Sequence, residues 1–352
     1  MVGLVATTIG RVRLKNPLIA GPAEHLIDED GVRRALETGV GAIVLKSINE
    51  TQSAKEQLQS AEYVALDEQW RPVNWGPDAP LATTIACRSG LGNASFEQWL
   101  DTAVRLDHEA RARDTVLIAS VILADMDHTL SMARQIEQAG IRVLELNIGT
   151  PYASQAKKGT VTTELNPERV EQIVSRVRQA VSIPLWVKTT GQSERVPELA
   201  DAAFRSGAES VVMAGRLLGL MPDVDTFKPM LGTVLGIGGY WNLPLTCYWL
   251  AMSRSRLGRD KPLIGINGAQ SGLDVARMML AGASAVQMAS AVMLRGYDVL
   301  SDALAEFDRY LTDKKIDAVE LIGRAADGRK AFGDMPPLPD NWRNYVPKTK
   351  RG

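Results

Sequence analysis

Short apolar segments alternate with longer amphipathic segments along most of the chain, and this alternation predicts repeated strand-helix units. Uninterrupted apolar runs are typical of parallel strands that are covered by helices. The predicted strands are residues 18–21, 42–46, 81–87, 116–121, 143–147, 184–188, 210–214, 262–265 and 285–288. Helical periodicity between them is clearest at residues 132–139, 170–180, 196–206 and 273–281. The pattern predicts an α/β protein with a parallel sheet.

Glycine follows three of these predicted helices, at Gly140, Gly207 and Gly282. Glycine readily adopts the left-handed conformation in which many helices end. The repeated strand-helix units predict a single (β/α)8 TIM barrel. Nine predicted strands are one too many for such a barrel.

Two long connections lack helical periodicity. Residues 49–93 contain Trp70 and Trp75 among several prolines, and residues 216–245 are rich in glycine, proline and methionine. Long connections at the carboxyl-terminal face of a barrel usually build or cover its active site. We expect both to be ordered loop excursions over that face.

Composition and charge narrow the class of protein. The chain has 352 residues, of which 45% are hydrophobic, and its 40 Lys and Arg nearly balance its 41 Asp and Glu. A chain of this length can bury one large core, and a net charge of -1 gives no reason to expect nucleic acid or an anionic membrane as a partner. We expect the barrel to occupy residues 1–312, with residues 313–352 as a carboxyl-terminal extension.

Cysteine content and the amino terminus indicate the compartment. Cys87 and Cys247 are the two cysteines, too few for an iron-sulfur cluster or a disulfide scaffold. Residues 1–10 lack the features of a signal peptide, and no apolar run approaches about 18 residues. The expected location is the cytoplasm. No metal site is predicted, because residues 125–128 precede a helical pattern in which Asp127 is better explained as the helix cap.

Polar or charged residues stand at the ends of several predicted buried strands. Asn147 and Thr150 come at the end of the strand 143–147, where a barrel presents its chemistry. Lys46 and Lys188 each end an apolar strand, where lysine is rare unless its ammonium has a partner. Three explanations remain open for Lys188: a positive charge beside an electron-rich cofactor ring, a nucleophilic amine for Schiff-base chemistry, or a structural ion pair.

Small residues follow the last two predicted strands. Gly265, Asn267 and Gly268 lie in one turn, and Ala289 and Ser290 lie in the next. Such turns let backbone N–H groups approach a phosphate at the mouth of a barrel. The sequence therefore favours a phosphorylated ligand over simple tight packing.

These segments occur together in one order, and from about Leu4 to Met293 the chain resembles the dihydroorotate dehydrogenase family of FMN barrels, including the related flavin domain of dihydropyrimidine dehydrogenase. The matching segments are residues 16–21, 46–47, 145–147, 187–188, 238–239, 262–268 and 281–287. In that family the segment that matches residues 81–87 belongs to the excursion above the barrel, which removes the ninth strand.

The resemblance implies a noncovalently bound FMN. The residues that would surround its ring and ribityl chain are Ala20, Gly21, Lys46, Ser47, Asn147 and Lys188. The residues that would hold its phosphate are Gly239, Gly268, Ala289 and Ser290.

The sequence departs from the family at the residues that bind substrate. Thr150 stands where the family has its catalytic base, and Tyr152 replaces a substrate-binding asparagine. Two further family asparagines are absent, and Arg88 and Arg216 lie near their places. Each lost amide leaves part of a pyrimidine ring unpaired at a cost of about 1–3 kcal/mol, so dihydroorotate is not the expected substrate. Arg88 and Arg216 would instead favour an anionic group, with Asn147 and Tyr152 as further contacts.

The sequence thus predicts an FMN-dependent oxidoreductase that acts on a small anionic or amide-containing molecule by hydride transfer at flavin N5. Thr150, Tyr152, Lys188 and His25, which follows the first strand, are the candidates for catalysis. A separate electron donor or acceptor and a homodimer or higher homo-oligomer are expected. The alternatives are a Schiff-base lyase or aldolase that uses Lys188, and a flavin-binding barrel without redox activity.

Overall fold

A computed structural model describes residues 5–149, 166–213, 215 and 217–345. Eight parallel strands close into a barrel, so the predicted (β/α)8 architecture is confirmed. The barrel strands are β1 Leu18–Ala20, β2 Ala42–Val44, β3 Val116–Ile122, β4 Leu144–Asn147, β5 Leu185–Lys188, β6 Ser210–Met213, β7 Leu263–Ile266 and β8 Ala283–Met288. The main helices are α1 Glu29–Glu37, α2 Phe96–Arg111, α3 Met126–Gln138, α4 Pro167–Ala180, α5 Val196–Arg205, α6 Leu243–Leu257, α7 Gly272–Leu280 and α8 Asp298–Lys314.

The strands follow one another around the barrel in chain order, and β8 pairs with β1 to close it. In this parallel register Lys188 on β5 lies opposite Asn147 on β4, and Asn147 lies opposite Ile122 on β3. The carboxyl ends of neighbouring strands therefore meet at one face, where the sequence placed the polar residues.

Apolar side chains fill the lower interior of the barrel. An amino-terminal hairpin, Thr7–Ile9 and Val12–Leu14, closes this end. Its residues Ile9 and Leu14 belong to one buried cluster with Ile118 and Trp186. Because successive side chains of a strand point to opposite faces, the next inward positions above Ile118 and Trp186 carry polar residues. The interior thus changes from apolar to polar towards the carboxyl-terminal face.

Both excursions contribute to a separate five-stranded sheet. The predicted strand 81–87 is its strand Thr84–Arg88, which pairs antiparallel with Glu62–Leu66 and with Leu235–Gly239. The ninth strand therefore lies outside the barrel. Leu217–Gly219 and Pro72–Val73 are the edge strands, and Pro222–Asp223 and Lys228–Pro229 form a small hairpin of their own.

Local helix signals were largely correct. Gly140, Gly207 and Gly282 have φ angles of 86°, 100° and 122°, as expected where a helix ends. The prediction that Asp127 caps α3 was wrong. Asp125 is the cap, and its carboxylate accepts a hydrogen bond from the backbone N–H of His128. The carboxylate of either aspartate could cap a helix. The structure differs from the prediction because the helix begins two residues earlier than a cap at Asp127 would require.

Short helices complete the described structure. The α-helices are Gln52–Glu56, Ser290–Arg295, Ala318–Leu321 and Arg324–Asp327, and the 3-10 turns are Glu24–Leu26, Gln57–Ser60, Met230–Gly232, Tyr240–Asn242, Phe332–Asp334 and Asn341–Tyr345. Ala318 and Leu321 are buried against the helices of the barrel, and Asp327 forms an ion pair with Arg254 at 2.9 Å. Helix α8 runs through residue 312, and the division into residues 1–312 and 313–352 stays a prediction. None of the helices in the described ranges is both long and apolar enough to cross a membrane.

Candidate active site

A buried polar network lies at the carboxyl-terminal end of the barrel interior. The Glu145 carboxylate on β4 accepts hydrogen bonds from Lys188 Nζ at 2.7 Å, Gln287 Nε2 at 2.7 Å and Ser120 Oγ at 3.1 Å. Ser120 in turn contacts Ser47 Oγ at 2.8 Å. These partners come from the strands β3, β5 and β8 and the end of β2, so one carboxylate links four other parts of the barrel.

Burial controls the charge of Lys188 in this network. The side chain of Lys188 is 5% exposed and that of Glu145 is fully buried. Burial lowers the pKa of Lys188 below that of an ordinary lysine, and the attraction of the Glu145 carboxylate opposes this shift. Such a buried cation is stable only because its counter-charge lies within hydrogen-bond distance.

A second ion pair joins Lys46, just after β2, to Glu24 in the turn after β1. Lys46 Nζ lies 2.8 Å from Glu24 Oε1, and both side chains are mostly buried. Although burial alone would raise the pKa of Glu24, the Lys46 ammonium brings it below its usual value. Both lysines that the sequence singled out therefore contact a carboxylate at the mouth of the barrel.

A cavity with about 790 Å³ of empty space, including its open mouth, lies between the barrel and the five-stranded sheet. Its wall combines many apolar and small residues with a few polar groups, which is typical of small-molecule and cofactor sites. Four residues predicted to hold a cofactor line it: Lys46, Gly268, Ala289 and Ser290. The other lining residues are Pro22, Ala23, Glu24, Tyr63, Ile85, Cys87, Ser89, Gly236, Ile237, Gly238, Ile266, Asn267, Ala269, Gln287 and Met293.

One end of the cavity is built from small residues at the ends of β7 and β8. Gly268 has a φ of 118°, and a Cβ atom there would lie 2.5 Å from the backbone nitrogen of Leu243. Ser290 Oγ accepts a hydrogen bond from Gln270 Nε2 at 3.3 Å, which leaves the hydroxyl hydrogen free to donate. Arg295 holds Gln270 through its side-chain and backbone oxygens, so a cation stands behind this end of the cavity.

Four other predicted cofactor residues adjoin this site without lining the cavity. Ala20 is fully buried at the end of β1, and the backbone N–H of Gly21 donates to Met288 O across the β8–β1 junction. Asn147 Oδ1 accepts a hydrogen bond from the backbone N–H of Gly149 at 3.1 Å, which fixes the turn after β4. Gly239 pairs with Thr84 in the five-stranded sheet, while its neighbour Gly238 lines the cavity.

A second cavity meets the first at Lys46. It has about 630 Å³ of empty space. Ser47 and Asn93 provide its polar groups beside Lys46, and Trp99 and Leu58 are among its apolar walls. Lys46 therefore lies in the wall of both cavities.

The structure places Arg88 away from the cavities. Its guanidinium pairs with Glu62 at 2.6 Å and donates to Leu231 O, and its side chain is 41% exposed. Arg88 lies near a substrate position of the family in sequence, but sequence proximity does not show which side of the strand a residue faces. Alternate residues of a strand face opposite sides, and the neighbours Cys87 and Ser89 line the cavity instead.

His25 lies behind the cavity wall formed by Glu24. Its ring makes an edge contact with Tyr297 at 5.8 Å between ring centroids, and neither ring nitrogen has a hydrogen-bond partner among the described residues. Burial lowers the pKa of His25 to about 3, so its imidazole is neutral near pH 7. Thr150, Tyr152 and Arg216 lie outside the described residues, and their proposed roles stay predictions.

Sequence reasoning missed Glu145 and Gln287 as members of the site. A signal existed for Glu145, since a carboxylate inside an apolar strand requires a buried partner. The signal for Gln287 was weaker because glutamine is uncharged. Its Oε1 atom is buried and has no partner among the described residues, so the side chain can still accept a hydrogen bond at the cavity.

Comparison with known protein families identifies the family to which this chain belongs. The model of the family described as dihydroorotate dehydrogenase matches residues 5–311. The chain belongs to the dihydroorotate dehydrogenase family. Members of this family are flavin-dependent oxidoreductases built on a barrel, and the chain is an oxidoreductase of this general class.

Two relatives and one solved structure are similar to this chain over most of its length. The chain is 26% identical over 333 residues to the catalytic subunit of dihydroorotate dehydrogenase B (NAD+) from Methanocaldococcus jannaschii, covering 92% of this chain and 98% of that one. It is 22% identical over 332 residues to the chloroplastic dihydropyrimidine dehydrogenase (NADP+) of Arabidopsis thaliana, covering 90% of this chain and 75% of that one. The crystal structure of an Eimeria tenella dihydroorotate dehydrogenase in complex with ferulenol superposes with a TM-score of 0.69 at 14% identity, covering 93% and 89% of the two chains, and supports the same fold.

Proposed function

We propose that this protein is an FMN-dependent oxidoreductase that acts on a small anionic or amide-containing molecule other than dihydroorotate. The observation that carries the proposal is the cavity itself, in which a paired lysine at the barrel mouth and a cradle of small residues at the ends of β7 and β8 lie in one continuous space. A cation and a separate group of small residues in one cavity would suit a cofactor that carries both a ring and a phosphate.

The residues present fit FMN. Gly268, Ala289 and Ser290 would hold the phosphate, because their small side chains leave backbone N–H groups and the Ser290 hydroxyl accessible. The unpartnered Oε1 of Gln287 could accept from an N–H or O–H group of a ligand. Lys46, Ser47, Asn147 and Lys188 would surround the ring. When bound, FMN would supply the two-electron redox chemistry.

The chain's own part in the reaction is electrostatic and positional. Lys46 and Lys188 place two positive charges at the carboxyl ends of β2 and β5, where they would stabilise negative charge on a bound ring. The five-stranded sheet forms part of the cavity wall and would reduce the contact of a bound ligand with water. A proton could be moved by Thr150 or Tyr152, which we retain as candidates.

The Lys188–Glu145 ion pair argues against the Schiff-base alternative. Nucleophilic attack requires a neutral amine with free access to a carbonyl carbon. Lys188 instead donates to a carboxylate at 2.7 Å and is almost completely enclosed. A flavin-binding barrel without redox activity remains the outcome if no substrate reduces or oxidises the cofactor.

Substrate choice can be tested directly. Only Asn147 remains of the amide groups that the family resemblance led us to expect, so dihydroorotate should not reduce the bound flavin at a significant rate. The measurement is the visible flavin absorbance after anaerobic mixing, with dithionite as the positive control for a reducible cofactor. Rapid bleaching by dihydroorotate would mean that the protein is a dihydroorotate dehydrogenase and that the substrate part of the proposal is wrong.

A further inference from the structure

The Glu145 carboxylate has no contact with the main cavity, yet it holds the most enclosed lysine of the barrel mouth. Two oxygen atoms receive three hydrogen bonds: Oε1 accepts from Lys188 and Ser120, and Oε2 accepts from Gln287. With donors on three different strands, the carboxylate cannot rotate away from Lys188 without losing another buried hydrogen bond. Its position relative to Lys188 is therefore fixed by the barrel.

We propose that Glu145 is a positioning residue that keeps Lys188 in its cationic form and fixes the ammonium at the barrel mouth. Its action on the cofactor rests on the proposed function, whereas its action on Lys188 is a property of the barrel alone.

The charges around Lys188 support this role. Glu145 on β4 and Lys46 after β2 are the charged groups that act on Lys188 among the described residues. Lys46 repels the Lys188 ammonium, and Lys46 is itself paired with Glu24 after β1. Glu145 is thus the one carboxylate in direct contact with Lys188 in the described part of the chain. Burial and Lys46 both favour the neutral amine, and Glu145 opposes them.

Gln287 extends the effect to the cavity. This side chain donates to Glu145 Oε2 and also lines the cavity. Because its amide nitrogen is held by the carboxylate, its oxygen must point elsewhere and stays available as an acceptor. Glu145 therefore orients both a cation and an acceptor, although it would touch neither substrate nor cofactor.

The titration of Lys188 tests the proposal in the full-length protein as purified. Lysine side chains labelled with 15N give NMR signals that report the protonation of each Nζ, and the Lys188 signal is identified by its loss in Lys188→Arg. We expect an ammonium signal from Lys188 at pH 7 in the wild-type protein. In Glu145→Gln the midpoint should fall by about one pH unit or more, a tenfold change in proton affinity, because the opposing negative charge is gone.

A matched variant separates charge from packing. Ser120→Ala removes another hydrogen bond to Glu145 without changing its charge, so it should leave the Lys188 midpoint close to the wild-type value. Equal midpoints in the wild-type protein and Glu145→Gln would overturn the proposal. A neutral Lys188 amine at pH 7 in the wild-type protein would also overturn it, even if Glu145→Gln does not fold.

Cofactor binding gives a separate readout. In protein loaded with FMN, the pH at which the reduction potential changes slope should move in Glu145→Gln together with the Lys188 midpoint. An unchanged potential profile beside a shifted Lys188 midpoint would contradict the effect on the cofactor. If the protein binds no flavin at all, the proposed function fails while the NMR comparison still decides the role of Glu145.

Discussion

Individual charged residues at the barrel mouth are stabilised in pairs. Lys188 and Glu145 form one pair, and Lys46 and Glu24 form the other. Removing one member of a buried pair leaves an uncompensated charge, which costs about 3–5 kcal/mol. The same ion pairs that would act on a ligand therefore also stabilise the folded barrel. Their positions are fixed in the protein without a ligand.

The phosphate cradle makes a prediction at Ser290. In Ser290→Glu a carboxylate would face the phosphate of FMN, and repulsion between like charges at close range should lower FMN affinity by more than about tenfold. Riboflavin lacks the phosphate, so its affinity should change much less. Titration of the flavin-free protein with each flavin, followed by fluorescence quenching, measures both affinities. Ser290→Ala is the control for the loss of the hydroxyl, and equal losses for the two flavins in Ser290→Glu would place the phosphate elsewhere.

His25 makes a prediction about stability and pH. Its folded-state pKa of about 3 lies below the value of about 6.5 in an unfolded chain. The folded state therefore resists protonation, and stability present above pH 6.5 is lost as the pH falls towards 3. Between pH 7 and pH 5 this group should reduce the free energy of unfolding by about 2 kcal/mol.

Urea unfolding at the two pH values checks this effect. His25→Gln should retain more of its stability at pH 5 relative to pH 7 than the wild-type protein does. His108→Gln, on the exposed side of α2, is the matched control and should keep the wild-type dependence. An identical pH dependence in His25→Gln would show that His25 is not buried as a neutral ring.

At the scale of elements, the turn after β7 packs against the start of α6. Gly268 has no space for a side chain, since a Cβ atom would lie 2.5 Å from Leu243 N and 2.6 Å from Leu243 Cα. Both atoms belong to the backbone of a helix that cannot move without its neighbours. The cavity wall and the packing of α6 are therefore coupled through one glycine.

Gly268→Ala should destabilise the fold more than a glycine substitution in open space. Gly258, at the other end of α6, has a φ of 88° and a ψ of 175°, and a Cβ atom there would meet no atom within 4 Å, so Gly258→Ala should cost about 1–3 kcal/mol of backbone strain alone. Gly268→Ala adds a backbone clash to a similar strain and should cost more than twice as much. Urea unfolding of both variants measures the difference. Equal costs would mean that the turn and α6 adjust independently.

Elements were more predictable from sequence than contacts between them. The barrel strands begin and end within about two residues of their predicted bounds, because buried parallel strands have an unmistakable apolar pattern. The amino-terminal hairpin was missed, since its strands have three residues each and alternate between buried and exposed positions. Short strands of this kind depend on the surface they cover, here the lower end of the barrel.

The candidate site was predictable only where its residues carry a local sequence signal. Lys46, Gly268, Ala289 and Ser290 line one cavity, and the sequence could group them because residue type and position at a strand end are both local signals; their role towards a cofactor stays a prediction. Arg88 pairs with Glu62 outside the two cavities, which local sequence could not show because this contact depends on pairing with the strand Glu62–Leu66, and its role in substrate binding stays a prediction. The partners of Glu145 lie 25 to 142 residues away in sequence, so no local pattern could identify the network.

At the scale of the whole molecule, one barrel brings the ends of distant strands to a common cavity, and two excursions cover it. The family model spans residues 5–311, which include every barrel strand and both excursions. The separate sheet lies over the barrel mouth and forms part of the wall of the main cavity, which shares Lys46 with the second cavity. A homodimer or higher homo-oligomer stays a prediction.

The identity of a bound cofactor tests the central claim most directly. The purified protein is denatured, and the released small molecules are separated by chromatography and compared with FMN, FAD and riboflavin. The account predicts FMN at about one equivalent per chain, either as purified or after incubation with FMN. Failure to retain FMN under both conditions, in protein that is folded by circular dichroism, would contradict it.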